Sequence, residues 1–350
     1  MVKGRAGVSR EAIQVSTAES REEWDGFVTG RTEANFLQSW DFYEFHKARG
    51  KKVVRRIFRR DEEIVGVYAG VVETAKRGRY LAIAGGPLLD WSDKKLIEAV
   101  FRDIREQGEK NECVFVRVRP QLELSDKSLE LMRRLGLKPA PMYLSVEYAG
   151  ILDLEKSEAE ILAGASQGFR RKLRKAEKAG IMVEASSDPE IVKTFYELEV
   201  KHASRQGFIA FSEDYLKKQF ETFEKNDEVL MYTARKDGEI LAQNFMIFYG
   251  PEVSYHYGVS SDLGTKYSAA PLLHLKAMEE GRKRGCIRYN LWGIVGLEEK
   301  SHRFYGVSEF KRSFGCSELK YTPAHDLVLR RGRYLVTKVV ETARKKVRHL

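Results

Sequence analysis

Cysteine is scarce in this chain, with three in 350 residues, at positions 113, 286 and 316. Thiols so far apart supply neither a disulfide framework nor the close ligand spacing of a metal site. The seven histidines are scattered and form no ligand pair, so no bound metal is expected. Proline is sparse too, with eight residues, and no low-complexity linker interrupts the chain. No apolar run reaches the ~18 residues that a membrane-crossing helix needs. Met1 to Arg10 carries charges with no apolar stretch behind them, so no secretory leader is expected. Reduced cysteines without a leader read as a cytoplasmic protein. The local signatures of serine hydrolases, P-loop nucleotidases and zinc peptidases are also missing.

Hydrophobic residues make up 43% of the chain, enough for sizeable cores and too many for a disordered protein. Lys and Arg number 61 against 51 Asp and Glu, a net charge of +10. That excess favours polyanionic partners: nucleic acid, phosphorylated substrates or an anionic membrane face. Solubility is the plainer use of the same charge.

The chain echoes itself at half its length. Asp61-Glu-Glu-Ile-Val-Gly66 and Asp237-Gly-Glu-Ile-Leu-Ala242 each open a strand after a charged turn. Each copy continues through a second strand, a proline and a basic helix. Each ends on an apolar stretch led by cysteine, Cys113-Val-Phe-Val-Arg117 and Cys286-Ile-Arg-Tyr-Asn290. Ile64 and Cys113 are 49 residues apart, and Ile240 and Cys286 are 46 apart. Two copies this long are too few for a solenoid and predict two related domains in tandem, with a ligand cleft at or near their interface. The expected boundaries are 10–150 and 151–330, followed by a basic amphipathic helix at 331–350.

Strands are predicted over 52–60, 64–74, 79–84 and 113–118, and over 229–235, 240–248, 253–258 and 286–292. Helices are predicted over 20–30, 40–49, from Ser92 or Asp93 to about Gln107, and over 126–135, 158–179, 189–206 and 213–224. Another opens at Pro271 and reaches Arg284. The result is an α+β layout that resembles the GNAT acyltransferase domain, present twice.

Several segments suggest chemistry. Helix 158–179 carries Arg170, Arg174 and Lys178 one turn apart, with Arg171 and Lys175 on the adjacent face, a stripe that can follow a phosphate backbone. Tyr255 and Tyr257 alternate on a strand and are expected to share a face, where their hydroxyls are candidate ligand donors. Gln38 and Trp40 start a helix whose other aromatics read as core. In Phe304–Gly315, read as a packed loop, Lys311 is the residue chosen to stabilise an oxyanion or a phosphate. In the tail, Leu335, Val336, Val339, Val340 and Val347 recur at three- and four-residue spacings, with Lys338, Arg344, Lys345, Lys346 and Arg348 opposed only by Glu341. Such a helix can pack on the second domain through its apolar stripe or rest on an anionic bilayer.

Together these segments resemble the Fem family of peptidoglycan bridge-forming aminoacyltransferases. The likeness rests on Phe36-Leu-Gln-Ser with Phe45, Gly86-Pro-Leu-Leu-Asp90, Gly136-Leu-Lys-Pro-Ala-Pro141, Ile151-Leu-Asp-Leu154 and Phe169-Arg-Arg-Lys-Leu-Arg-Lys-Ala-Glu-Lys-Ala-Gly180. It continues with Tyr255-His-Tyr-Gly-Val-Ser-Ser261, Pro271-Leu-Leu and Phe310-Lys-Arg-Ser-Phe-Gly315. Each piece is short, and their order spans nearly the whole chain. The resemblance implies two GNAT-like domains and transfer of an amino acid from aminoacyl-tRNA, as co-substrate and without a cofactor, to a stem-peptide amine of a nucleotide-linked or lipid-linked muropeptide. It implies that Phe310 and Lys311 sit near the tRNA acceptor end. It also implies that Gln38, Trp40, Lys47, Asp90, Tyr215, Tyr255 and Tyr257 hold the muropeptide, and that Arg170, Arg171, Arg174 and Lys175 hold tRNA. The protein would be an armless monomer, cytoplasmic and peripheral at the inner membrane face.

Two positions depart from the family pattern. His46 stands where many relatives have lysine, with Lys47 beside it. Phe211 stands four residues before Tyr215, where an arginine would grip the precursor's phosphates. Two other functions compete: an acyl-CoA-dependent N-acyltransferase acting on a sugar or amine, and a non-catalytic RNA-binding protein. Against the first, Asp262-Leu-Gly-Thr-Lys-Tyr-Ser-Ala-Ala270 lacks the second glycine of a pyrophosphate loop and begins with an acid.

Overall fold

The computed structural model describes residues 12–75, 78–206 and 209–347; Met1–Arg10 and Arg348, both read above, lie outside them, as do the side chains of Lys346 and Val347. The chain divides into two compact units, and neither is contiguous in sequence. One holds the residues up to Glu33, Arg49–Ser145 and the chain from Tyr321 on; the other holds Ala34–Ala48 and Val146–Lys320. Boundaries drawn at 150 and 330 therefore miss two crossings, the early excursion of Ala34–Ala48 and the late return at Tyr321.

In chain order the elements are β1 (Gln14–Thr17), α1 (Arg21–Val28), α2 (Trp40–Ala48), β2 (Lys52–Arg60), β3 (Glu63–Ala75), β4 (Gly78–Ala84), β5 (Leu88–Leu89), α3 (Lys94–Lys110), β6 (Cys113–Arg119), α4 (Asp126–Arg134) and β7 (Lys138–Pro139). Then come β8 (Tyr148–Asp153), α5 (Glu158–Gly164), α6 (Gln167–Lys178), β9 (Met182–Ser186), α7 (Ile191–Gln206), α8 (Glu213–Glu224), β10 (Val229–Lys236), β11 (Glu239–Tyr249) and β12 (Glu252–Ser260). The chain ends with α9 (Asp262–Tyr267), α10 (Ala270–Lys283), β13 (Arg288–Gly293), α11 (Tyr305–Arg312), β14 (Ser317–Lys320), β15 (His325–Val328) and α12 (Arg331–Val347).

The first unit's sheet runs β1-β2-β3-β4-β6-β15-β7, and the second unit's runs β14-β8-β13-β12-β11-β10-β9. The internal echo becomes a repeated motif. The hairpin β2–β3 turns through Asp61 and Glu62 at φ 48° and 70°, and β10–β11 through Asp237 and Gly238 at φ 49° and 82°. Positive φ at both central residues matches the right-handed twist of the flanking strands. The pairings agree as well: Arg59 opposes Ile64 and Arg235 opposes Ile240, each just past an irregularity. In each unit the next strand pairs antiparallel, and a helix then leads to a parallel strand, β4 to β6 and β12 to β13. Both cysteines of the echo are buried, although β13 begins at Arg288 and not at Cys286.

Each core follows from apolar spacing. On α3, Leu96, Ile97, Val100, Phe101 and Ile104 bury one face against Val116 and Val118 of β6. Asp93 caps this helix by accepting from the Leu96 N–H, while Ser92 donates to Asp90. In the second unit Phe169 and Leu173 of α6 join Leu273 and Met278 of α10 on one face of the sheet.

Two elements differ from expectation. The single basic helix is two, because Ala165 and Ser166 are extended (ψ 153° at each). Ser166 starts α6 by capping the Phe169 N–H, and its own N–H donates to Ser313 O. The tail helix packs on the first unit, not the second, and through the wrong face for an apolar stripe. Its buried residues are Tyr334, Thr337 and Glu341. A buried ion cluster explains this. Arg117 on β6 donates to both Asp326 oxygens at 2.8 and 2.9 Å and to Glu341 at 2.8 Å, and the Tyr334 hydroxyl donates to Asp326 at 3.0 Å. The two carboxylates hold Arg117 above the ordinary arginine range in spite of burial.

Replacing Arg117 with Met would leave two buried carboxylates facing each other. The expected loss is roughly 3–5 kcal/mol, read as a lower denaturant midpoint for the first unit's transition. Part of the loss should return as the pH falls from 7 to 5, because burial raises the Asp326 carboxyl above its unfolded value.

Candidate active site

In the second unit two parallel strands part. β12 and β13 pair only at Glu252–Arg288, Val253–Tyr289 and Ser254–Asn290. Beyond that β13 pairs with β8 through an irregularity, while β12 continues to Ser260. In the first unit the corresponding pair, β4 and β6, stays joined at six positions from Arg79–Cys113 to Ala84–Arg119. The same architecture is closed in one unit and open in the other.

A buried polar chain fixes the opening. Glu252 accepts from Arg288 Nε at 2.7 Å, the Ser254 hydroxyl at 2.6 Å and Asn290 Nδ2 at 3.1 Å. Asn290 Oδ1 accepts the Trp292 N–H at 2.8 Å. Trp292 is thereby held at φ 65°, a left-handed conformation that costs a bulky residue about 1–3 kcal/mol. Its ring stacks on Phe36, with centroids 5.0 Å apart. The Gly293 carbonyl that follows accepts from Lys311 Nζ at 2.8 Å.

Lys311 comes from α11, so Phe304–Gly315 contains a helix and is not simply a loop. Ser308 anchors it, donating to Phe304 O at 2.9 Å and accepting the Val295 N–H at 3.0 Å. The Lys311 amine lies 5.5 Å from the Tyr255 ring centroid, and Phe310 packs on His274 at 5.6 Å. His274 Nδ1 lies 2.6 Å from the Tyr289 hydroxyl. Its Nε2 is buried with no hydrogen-bond partner among the described residues. Burial, with the Lys311 charge as a smaller cause, pushes His274 down to about 3, so it is neutral. Burial likewise brings Lys311 from 10.5 down to about 7. The amine is therefore not the permanent cation expected from its residue type. Near neutral pH it is divided between ammonium and free amine, able to hold a proton or to release one.

Tyr255 and Tyr257 do not share a face. A bulge pairs Phe245 with Tyr257 but Met246 with Tyr255, leaving His256 as the extra residue. Tyr255 turns to the Lys311 side, where its hydroxyl would collide at 2.0 Å with any Cβ on residue 258. Gly258 is thus required by the ring beside it. Tyr257 turns to the other side and meets Phe211 at 5.5 Å, Phe245 at 5.7 Å and His256 at 3.9 Å. There Tyr215 stacks on Phe211 at 4.5 Å and meets Phe45 edge-on at 5.1 Å. Phe211 therefore completes an aromatic wall.

The remaining candidates divide. Gln38 is buried, and its side-chain oxygen accepts the Asn35 N–H in a capping box, a structural use. Lys47 is exposed, paired with Glu44 at 2.8 Å and 5.9 Å from the Trp40 ring centroid. Asp90 lies in the first unit, exposed, and its carboxylate is held low by hydrogen bonds from Ser92. On α6, Arg170 donates to the carbonyls of Leu162, Ala163 and Ala165 and so closes the end of α5. Lys175 donates to Lys266 O yet stays exposed, as do Arg171, Lys172, Arg174 and Lys178. Asp262–Tyr267 is a short helix, whose Gly264 N–H is taken by Ser261 Oγ at 3.0 Å. A Cβ on residue 264 would strike Leu241 O at 1.9 Å, so this glycine serves packing.

His274, Tyr289 and Trp292 were not candidates in the sequence. Among the described residues no cluster could hold a metal ion, and no helix is long and apolar enough to cross a membrane. A depressed lysine destabilises the fold wherever the unfolded chain is protonated and the folded one is not. Stability should therefore rise as the pH increases from 7 towards 10. Lys311→Met should be more stable at pH 7 by roughly 2–5 kcal/mol and should lack that rise, as followed by chemical denaturation across pH.

Comparison with known proteins agrees with this fold. Residues 20–132 match the FemAB family, and residues 164–312 match the Acetyltransferase (GNAT) domain. The lipid II:glycine glycyltransferase of Staphylococcus aureus strain MRSA252 is 21% identical, over 92% of this chain and 94% of that protein. The crystal structure of FemX superposes with a TM-score of 0.84 at 20% identity, covering 93% of this chain and 100% of that one. A tandem GNAT protein from the clavulanic acid biosynthesis pathway gives a TM-score of 0.52 at 11% identity, over 91% of this chain and 98% of that one. The chain is an α+β protein of two GNAT-like units and an acyl- or aminoacyltransferase, similar over residues 20–132 to the FemAB family.

Proposed function

We propose that this protein moves an amino acid from aminoacyl-tRNA to a stem-peptide amine of a lipid-linked peptidoglycan precursor, building the interpeptide bridge of the cell wall. The observation that carries the reading is Lys311, a desolvated amine held where β12 and β13 part. An acceptor amine attacks the ester carbonyl, a C–N bond forms, the ester C–O bond breaks, and the tRNA leaves with a hydroxyl. The attacking nitrogen must shed a proton, and the intermediate carries negative charge on oxygen. Lys311 serves both needs, as amine for the first and as ammonium for the second. Phe310 and neutral His274 keep water from it.

Relatives named lipid II:glycine glycyltransferase, similar over 92% of the chain, support a lipid-linked acceptor. Phe211 supports it too, because it stands in the aromatic wall where an arginine would grip the phosphates of a nucleotide-linked precursor. Tyr215 and Tyr257 would contact the acceptor there, with Trp40 and Lys47 as further contacts. The exposed cations of α6 would follow the phosphates of tRNA, while Arg170 keeps the helix in place. The protein would act as a monomer on the cytoplasmic side, touching the membrane that carries its acceptor. A CoA-dependent N-acyltransferase is the second reading, favoured by the GNAT match over 164–312. The packed Gly264 and its engaged N–H speak against a pyrophosphate loop there.

The test is incubation with charged tRNA and lipid-linked muropeptide, with mass spectrometry of the product. Addition of one amino-acid residue is expected; acetylation from acetyl-CoA in its place would overturn the reading. Lys311→Met should lower turnover well beyond tenfold, a barrier increase above about 1.4 kcal/mol, and should abolish a pH–rate ionisation near 7. Replacing Arg171 and Arg174 with Gln should weaken tRNA binding for all tRNA sequences alike and flatten its salt dependence. An unchanged salt slope would remove α6 from the tRNA surface.

A further inference from the structure

α12 is turned inside out for a surface helix. Its inward face is Tyr334, Thr337 and Glu341, while Leu335, Val336 and Val339 are 63%, 60% and 69% exposed. At ~100° per residue these three and Ala343 fall in one arc of about 100°, opposite the buried face. Exposed cations border that arc on both sides, Arg331, Lys338 and Lys345 on one and Arg333 and Arg344 on the other. An apolar ridge with cationic margins is the pattern of a helix lying in a membrane interface, where the margins reach lipid phosphates.

The neighbouring surface of the same unit carries the same sign. Val336, Arg330 and Arg333 line a cavity of about 770 Å³ together with Arg79 and Glu112. Arg79 and Glu112 also line a second cavity of about 570 Å³, with Arg49, Lys51, Lys52 and Lys110. Among the described residues Glu112 is the only carboxylate lining either cavity, and it pairs with Arg79 at 2.9 Å. Glu73, nearby, pairs with Lys51 at 2.6 Å. A strong positive excess remains. It suits phosphate-bearing headgroups, whereas the Leu and Val ridge has no counterpart on a nucleic acid.

We propose that the outer ridge of α12 and the basic groove beside it form one docking face for an anionic bilayer. Its use rests on the proposed lipid-linked acceptor, since a bilayer-bound enzyme meets that acceptor in two dimensions; its existence does not. The ridge enters the headgroup layer, and Arg330, Arg333 and the groove cations meet lipid phosphates.

The experiment is flotation of the full chain with vesicles of equimolar phosphatidylglycerol and phosphatidylcholine, and with phosphatidylcholine alone, at low and high salt. The variants are Leu335→Gln with Val339→Gln, and Arg330→Gln with Arg333→Gln. All four side chains are exposed, so wild-type melting is expected of both pairs. Wild type should float with the anionic vesicles and lose at least fivefold in bound fraction with neutral ones or at high salt. Each double variant should lose at least fivefold on anionic vesicles. Equal flotation of wild type with both vesicles, or wild-type flotation of either double variant, would overturn the proposal. So would an arginine variant that loses tRNA affinity and keeps vesicle binding. Transfer to a detergent-dispersed acceptor should be unaffected by these variants. If wild type floats as expected but performs no transfer, the proposed reaction fails and the docking face stands.

Discussion

Burying an amine is the constraint on which the second unit is arranged. A lysine with almost no contact with water pays heavily for its charge, and the fold tolerates it only with a ready acceptor for its protons. That acceptor is the Gly293 carbonyl, and it is available because β13 has already left β12. The departure requires a left-handed tryptophan, and the tryptophan is held by Asn290, which in turn is held by Glu252 and Arg288. Arg288 also donates to Ala34 O, which ties in the segment whose Phe36 supports the tryptophan ring. Each part would be a cost alone; together they keep two strands apart and one amine dry.

The first unit displays the same motif without that constraint. Its strands stay paired to the end, and its buried cation, Arg117, is fully matched by carboxylates. Arginine does not give up its proton, so this site is structural. The repeated motif is thus open in the second unit and closed in the first. Matching turns and registers are kept in both because they decide whether the sheet forms at all.

Much of this was legible in the sequence because it is local. Turn residues at 61–62 and 237–238, alternating strands and capping residues act within a few positions, and so the strands near 52–84 and 229–260 were readable to within two residues. What failed depends on distant partners. The break before Ser166 needs Ser313, and a Cβ on Gly315 would meet Gly164 O at 2.3 Å. The opposite faces of Tyr255 and Tyr257 follow from one bulge, and periodicity cannot see a single extra residue. Gln38 looked like a ligand although Asn35-x-x-Gln38 already spelled a capping box. His274 and Tyr289 lie on buried faces, where a polar residue is hidden among apolar ones. Lys311 was found from its neighbours, but its protonation comes from burial, which no spacing reports.

The last strand has a consequence for biosynthesis. β15 pairs with both β6 and β7, so it lies between strands made some two hundred residues earlier. Until it arrives, β6 has an unpaired edge, and Arg117 lacks both of its carboxylates, which sit at 326 and 341. The ribosome therefore completes the second unit's sheet before the first unit can close. A nascent chain must carry an unfinished domain until β15 has been made, and a protein truncated before β15 would lose the domain made first.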